Sequence, residues 1–458
     1  MFDILSTQRP RTVIVLIAVL GVLFSLLFAV QNGSIVRTEF ADYSDDAESY
    51  NRMALNMVAH GTFANPDGSY YESVRRSPGY PLFLAGVYRV YPSPVSVWVI
   101  NEMLFVLSIL LVWQIACLYL ERSWAYVPVM LYAIAWFVAG YVVRVGSDFL
   151  GLVLVLGFLR GCIAYLQTKK ISWVVLVAFV LGFLALVRPV MLYFVPVAVC
   201  WIWWARSDAR IRGLRDALLF AGIAALVVVP WMWWSFQIFH SRQLADSGHI
   251  LAWRSRDALM SPDRLWATGI AAIAGDVTAD YFYPGYARYP DPYPQKDHIT
   301  ERRLAMQRAG VPDVKINDYF FQEAVKNIRE HPLPFLLTTG FNLVRLHTPP
   351  NHQGTSAFHF LADATYPSLG MRIAINLLLR IIWFGFLGIA FWALTLYRKE
   401  TGVSGPIYLL LVLCALYTVG IQAVVVDSEF RYILAVMPIY IIFFVRGVRR
   451  IVQRYATI

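Results

Sequence analysis

Long apolar runs separated by short polar stretches make up most of this chain. A helix needs about 17–25 apolar residues to cross a hydrocarbon layer. Runs of that kind fall at 12–30, 95–120, 124–143, 149–167, 171–187, 190–205, 216–238, 381–397, 405–426 and 431–447. A shorter run at 333–346 is interrupted by Pro334 and ends at Arg345 and His347. It is expected to be re-entrant or tilted, packed on protein rather than lipid. The pattern predicts an all-α polytopic membrane protein with about ten to eleven transmembrane helices.

Two polar stretches carry a helical pattern of their own. From Asp45 to His60 the apolar positions Tyr50, Met53, Ala54, Met57 and Val58 recur at helical spacing, and Gly61 closes the run. Residues 318–330 repeat the device with Phe321, Ala324, Val325 and Ile328 on one face. Both are predicted to be helices lying in the membrane interface. The Tyr- and Pro-rich stretch 281–294 is expected to be extended and stiff, as a lid, an acceptor-contact strip or a belt of aromatics at headgroup level. The expected division is an N-terminal membrane module 1–238 with a first polar loop 31–94, a large loop 239–370, and C-terminal membrane helices 371–458.

Composition agrees with this pattern. The 458 residues are 59% hydrophobic and only 15% charged, against about a quarter charged in soluble domains. The net charge of +10 does not point to nucleic acid, because most basic residues flank apolar runs. Arg9, Arg11, Arg122, Lys169, Lys170, the cluster Arg206–Arg215, Arg398, Lys399 and Arg446–Arg454 all fall on one side if the N-terminus is cytoplasmic. The other side then receives 31–94, 144–148, Arg188–Pro189, 239–370 and Asp427–Arg431. Arg372 and Arg380, on the outer approach to 381–397, run against the rule. The four cysteines lie inside apolar stretches, so disulfides are not expected. The first run is too long for a signal-peptide core of ~7–15 residues and is expected to stay as an anchor.

Candidate chemistry concentrates between Asp42 and Pro81, where the chain leaves its first span. Asp45, Asp46 and Glu48 share one helical turn, and Arg75 and Arg76 precede the rigid element Ser77-Pro78-Gly79-Tyr80-Pro81. Acids in a first turn also serve as ordinary partners of the helix dipole, with Ser44 as cap. Capping alone does not call for the arginine pair and the Pro-Gly-Tyr-Pro return.

This stretch resembles the first outer loop of the GT-C glycosyltransferases, specifically glycosyltransferase family 39, which includes protein O-mannosyltransferases and lipid A aminoarabinose transferases. The matching positions are Asp45-Asp46, Tyr50, Ala54, Gly61-Thr62-Phe63, Arg75-Arg76 and Pro78-Gly79-Tyr80-Pro81. Asp148 looks like the family's second acidic position, Arg188-Pro189 like its Arg-Pro boundary, and Glu429-Phe430-Arg431-Tyr432 like its late acid-x-Arg-Tyr element. Each also has a plainer reading. Asp148 could cap the next span, Arg188 could snorkel to the interface, and Glu429 could pair only with Arg431.

The resemblance implies a GT-C fold and an inverting transferase that takes a sugar from a polyprenyl-phosphate donor. The expected acceptor is a lipid, a glycan or a protein at the cell envelope, on the periplasmic face of a bacterial inner membrane. A phosphate leaves without protonation, so the protein supplies one base for the acceptor hydroxyl and cations for the phosphate. Asp45 is the expected base, with Asp148 or Asp46 orienting the acceptor. Arg76, Arg188 and Arg431 are the expected phosphate ligands with Arg75 as alternate, and Tyr50, Tyr80 and Glu429 are expected to line the substrate site. No cofactor is assigned. Some relatives bind a divalent ion through the acidic loop, while His347, His352, His359 and Asp363 match no standard zinc spacing. The competing classes are a transporter or flippase of lipid-linked saccharide and a ligase that moves a whole lipid-linked glycan. A transporter usually places ionisable groups near the membrane centre, and here only Arg160 and Arg380 stand out in or near spans.

Overall fold

A computed structural model describes residues 10–31, 45–63, 76–206, 209–239, 248–286, 296–348, 368–395, 405–426 and 429–456. Every regular element among them is helical. In chain order these are α1 (Pro10–Gln31), α2 (Asp45–His60), α3 (Gly79–Tyr88), α4 (Pro94–Ala116), α5 (Arg122–Ala133), α6 (Trp136–Val142), α7 (Ser147–Thr168), α8 (Ile171–Val187), α9 (Val195–Ala205) and α10 (Arg210–Phe239). There follow α11 (Gly248–Ser255), α12 (Pro262–Ala274), α13 (Asp276–Phe282), α14 (Lys296–Arg308), α15 (Asp313–Glu330), α16 (Pro332–Leu346), α17 (Leu369–Thr395), α18 (Gly405–Val425) and α19 (Met437–Ala456).

Seven helical stretches are long and apolar enough to cross a membrane, and an eighth results if α5 and α6, bent by 56° at their junction, form one broken span. Two shorter apolar helices, Ile171–Val187 and Pro189–Ala205, account for the remaining predicted runs. The chain is thus a multi-pass, all-helical membrane protein. The run expected at 190–205 begins as the 3₁₀ turn Pro189–Phe194 and continues as the 11-residue α9.

The described chain forms two compact units, each drawn from separated parts of the sequence. Unit one comprises Met1–Trp231, Phe386–Ala415 and Leu434–Ile458. Within it α7 packs on α8 and α4, α1 on α5 and α6, and α2 on α3. Several polar side chains buried among these helices are paired, as an apolar surrounding favours. The Tyr132 hydroxyl donates to Ser108 Oγ at 2.7 Å, and Ser108 donates to the Phe105 carbonyl at 2.7 Å. The Ser25 hydroxyl of α1 donates to Glu102 of α4 at 2.7 Å. Glu102 is therefore an acid inside a span, in addition to the arginines picked out from sequence.

Unit two comprises Met232–Gly385 and Leu416–Ile433. Its core is Ala252, Ile299, Ile316, Phe320 and Ala324. The helix predicted over 318–330 forms within α15 (Asp313–Glu330) and buries Ala324 as expected, but Phe320 is covered in place of Phe321, which is exposed. Likewise α2 covers Tyr50, Met53 and Ala54 but leaves Val58 exposed. The stretch expected to be extended from 281 begins as helix, and α13 stops only at Tyr283, which leaves helical geometry (φ −130°, ψ 82°) as the residue before Pro284. Residues 287–295 lie outside the described residues. The 333–346 run is the amphipathic helix α16, with Phe335, Thr338, Asn342 and Leu346 buried and Leu333, Leu336, Leu337 and Leu343 exposed. Arg380, which ran against the charge rule, is buried and donates to the Ala272 carbonyl at 3.0 Å and to Asn376 at 3.2 Å.

A fully buried arginine ties unit two together. Arg254 donates to the Ala423 carbonyl (3.2 Å), Asp257 (2.9 Å), Thr338 (3.2 Å) and Thr339 (2.7 Å), with its guanidinium 4.7 Å from the Phe335 ring centroid. Arg254→Met removes the cation that balances Asp257, and is expected to destabilise the protein by roughly 3–5 kcal/mol. Adding Asp257→Leu should recover part of that loss, as measured by denaturant unfolding in detergent.

Candidate functional site

The site is assembled at the end of unit one where α2, α3, the start of α7 and the end of α8 meet. Helix α2 carries Asp46 and Tyr50 one turn apart, so both project from one side. Its far end is set by Gly61, which takes the left-handed conformation (φ 68°) and donates to the Met57 carbonyl at 3.0 Å. Asn56 then reaches forward to Thr62 Oγ1 at 3.1 Å, and Phe63 meets the Trp231 ring edge-on at 4.8 Å. Glu48 lies on the exposed side, paired with Arg52 at 2.9 Å, and is separate from the other acid described.

From Asp46 the contacts run inward without a break. Arg76 Nη2 meets Asp46 Oδ1 at 2.5 Å, and the same guanidinium stands 5.3 Å from the centroid of Tyr50. Tyr50 packs edge-on against Tyr80 at 5.0 Å and 73°. The Tyr80 hydroxyl accepts the backbone N–H of Gly146 at 2.7 Å. Two residues on, Asp148 is paired with Arg188. Ser77 closes the ring by donating to the Val187 carbonyl at 3.3 Å. Burial pushes the Tyr80 phenol well above its ordinary value, with the nearby Asp148 carboxylate adding to the same effect, so Tyr80 stays protonated at neutral pH.

Close packing underlies this arrangement. Gly79 opens α3 directly against the end of α8, and a Cβ there would lie 2.5 Å from both Leu186 C and Val187 N. Only glycine lets α3 approach the backbone that presents Arg188. The result is two carboxylate–guanidinium pairs, Asp46–Arg76 and Asp148–Arg188, joined through two tyrosines and one backbone amide. Arginine forks of this kind suit a phosphate, and carboxylates beside them suit a hydroxyl.

In backbone arrangement the chain is similar to the archaeal oligosaccharyltransferase AglB from Archaeoglobus fulgidus, solved in complex with an inhibitory peptide and a dolichol-phosphate. The TM-score is 0.52 over 97% of this chain and 50% of that one, at 13% sequence identity. This is the GT-C fold. The chain spans half the length of that structure. No protein-family model matches the sequence, and no curated protein matches it significantly.

Of the residues selected from sequence, the GT-C fold brings Asp46, Tyr50, Arg76, Tyr80, Asp148 and Arg188 into one cluster. The Asp45 side chain and Arg75 lie outside the described residues, as do His352, His359 and Asp363. Arg431 and Glu429 belong to unit two, where they pair at 2.6 Å and Arg431 stands 5.1 Å from the Tyr432 ring centroid. Among the described residues no three His, Cys, Asp or Glu side chains converge as metal ligands. Asp46 and Asp148 each face an arginine. The sequence reading passed over Ser77, the packing role of Gly79 and the amide of Gly146. Two glycines beside candidate site residues, in Pro-Gly-Tyr-Pro and Val-Gly-Ser-Asp, were the available signal.

Gly79→Ala forces the new methyl into the Leu186–Val187 backbone. It is expected to lower stability by about 1–3 kcal/mol through overpacking. Gly86→Ala on the same helix meets nothing within 4 Å and should raise stability by about 0.4–1 kcal/mol.

Proposed function

We propose that this protein is an inverting glycosyltransferase that moves a sugar from a polyprenyl-phosphate donor to a cell-envelope acceptor, on the periplasmic face of a bacterial inner membrane. The observation that carries this reading is the pair of Asp–Arg contacts, Asp46–Arg76 and Asp148–Arg188, gathered in one partly exposed cluster of a GT-C fold. The side of the membrane rests on the distribution of basic residues, and inversion rests on the family resemblance.

In the proposed reaction an aspartate takes the proton of the acceptor hydroxyl as its oxygen attacks the anomeric carbon. The bond from that carbon to the phosphate oxygen breaks, and the lipid phosphate leaves with the electron pair, held by guanidinium groups. No acid is needed at the leaving group, which distinguishes this chemistry from glycoside hydrolysis. Arg76 and Arg188 are the proposed phosphate ligands, and Arg431 is a candidate on the resemblance alone. Tyr50 and Tyr80 wall the site. Asp45 is the proposed base, with Asp46 or Asp148 orienting the acceptor.

A transporter is the weaker reading. Glu102, the acid inside α4, is tied to Ser25 of α1 at 2.7 Å and so serves helix packing. A ligase would take a whole lipid-linked glycan as donor, and offering both donor types to the purified protein separates the two. The expected result is turnover of a labelled polyprenyl-phosphate sugar. Asp45→Asn should lower kcat by roughly 10²–10⁴-fold while the protein remains folded. Arg188→Ala and Arg76→Ala should each lower kcat/KM by about 10²–10³-fold. Undiminished turnover in Asp45→Asn, Asp46→Asn and Asp148→Asn alike would remove an aspartate base from the reaction.

A further inference from the structure

We propose that Asn101, a residue of the apolar span α4, is a positioning residue for the Asp148–Arg188 pair and acts by holding the turn 142–146. The proposal rests on the reading that this pair belongs to the reacting site. Asn101 is 2% exposed, and its side-chain amide donates to the Val142 carbonyl at 3.0 Å and the Arg144 carbonyl at 3.1 Å. These carbonyls lie at and just beyond the C-terminal end of α6, where helix geometry leaves acceptors without intrahelical partners. On the other side of the turn, Gly146 donates its N–H to Tyr80 at 2.7 Å. The short connection from α6 to α7 is therefore gripped at three backbone atoms by two buried side chains, one from α4 and one from α3.

The consequence for Asp148 follows from chain connectivity. Gly146 is the residue before α7, with extended geometry (φ −176°, ψ 150°), and Asp148 sits in the first turn of that helix. Fixing Val142, Arg144 and Gly146 fixes the start of α7, and with it the direction from which the Asp148 carboxylate meets Arg188. An amide side chain inside an apolar span is costly unless bonded. Here both N–H groups go to the turn leading into a site residue. A misplacement of about 1 Å at a reacting group is enough to lower a rate by roughly 10²-fold, so this grip has catalytic weight beyond capping α6.

Asn101→Leu keeps the approximate side-chain volume and removes both donors. Three measurements on the purified full-length protein test it. Hydrogen exchange of the amides in 143–149 should accelerate at least about tenfold, as it should in Tyr80→Phe, because a lost hydrogen bond opens the turn. The Asp148–Arg188 coupling, read from a double-mutant cycle of unfolding, should shrink in the Asn101→Leu background. With a polyprenyl-phosphate sugar, kcat should fall by about 10–100-fold while the donor KM changes less than about threefold. Asn101→Gln, which restores an amide, should recover part of the loss. Unchanged exchange or unchanged coupling overturns the proposal. So does a variant with faster exchange whose kcat per folded molecule equals that of the parent, since Asn101 would then only cap α6. If the parent turns over no such donor, the transferase reading fails, and the exchange and coupling measurements still decide whether Asn101 positions the pair.

Discussion

A polar atom inside an apolar helix bundle must find a partner within the protein, because lipid offers none and each orphan costs several kcal/mol. This constraint is visible at several places in both units. It pairs Tyr132 with Ser108 and Ser25 with Glu102 in unit one. In unit two it surrounds the guanidinium of Arg254 with four acceptors and an aromatic face. At the candidate site it turns Tyr80 into the acceptor of a backbone amide. Hydrophobic burial brings the helices together without direction, whereas these bonds select one way of placing them.

The same constraint explains why the site is made of pairs. Arg76 and Arg188 are partly buried, and an isolated guanidinium there would carry an uncompensated desolvation cost. Each has a carboxylate beside it in the free protein. An anionic ligand with phosphate geometry could share those forks, and a hydroxyl could approach the carboxylates. The arrangement thus holds both signs of charge close together.

Much of this was legible in the residues themselves. The spans could be read because an apolar run of sufficient length has few alternatives to crossing a membrane. The helix from Asp45 to His60 could be read from its period and its closing glycine. Six residues chosen at four separate places in the sequence, Asp46, Tyr50, Arg76, Tyr80, Asp148 and Arg188, lie in one cluster. The expected covered faces of α2 and α15 hold at Tyr50, Met53, Ala54 and Ala324 and fail at Val58 and Phe321. Phe320 and Phe321 are adjacent and equally apolar, so periodicity permits two faces about 100° apart on the helix. The choice of Phe320 comes from the core it joins with Ala252, Ile299 and Ile316.

By itself the sequence determined that the chain is helical, crosses a membrane repeatedly, and places acids and arginines in the same short polar connections. Local pattern is sufficient for these properties because each depends on residues close together in the chain. Tertiary structure decided which acid meets which arginine, that Gly79 lets α3 touch the end of α8, and that an asparagine within a span reaches back to hold the turn before Asp148. These relations join residues tens of positions apart or more. They are set by close approach and by hydrogen-bond direction, neither of which has a period along the chain.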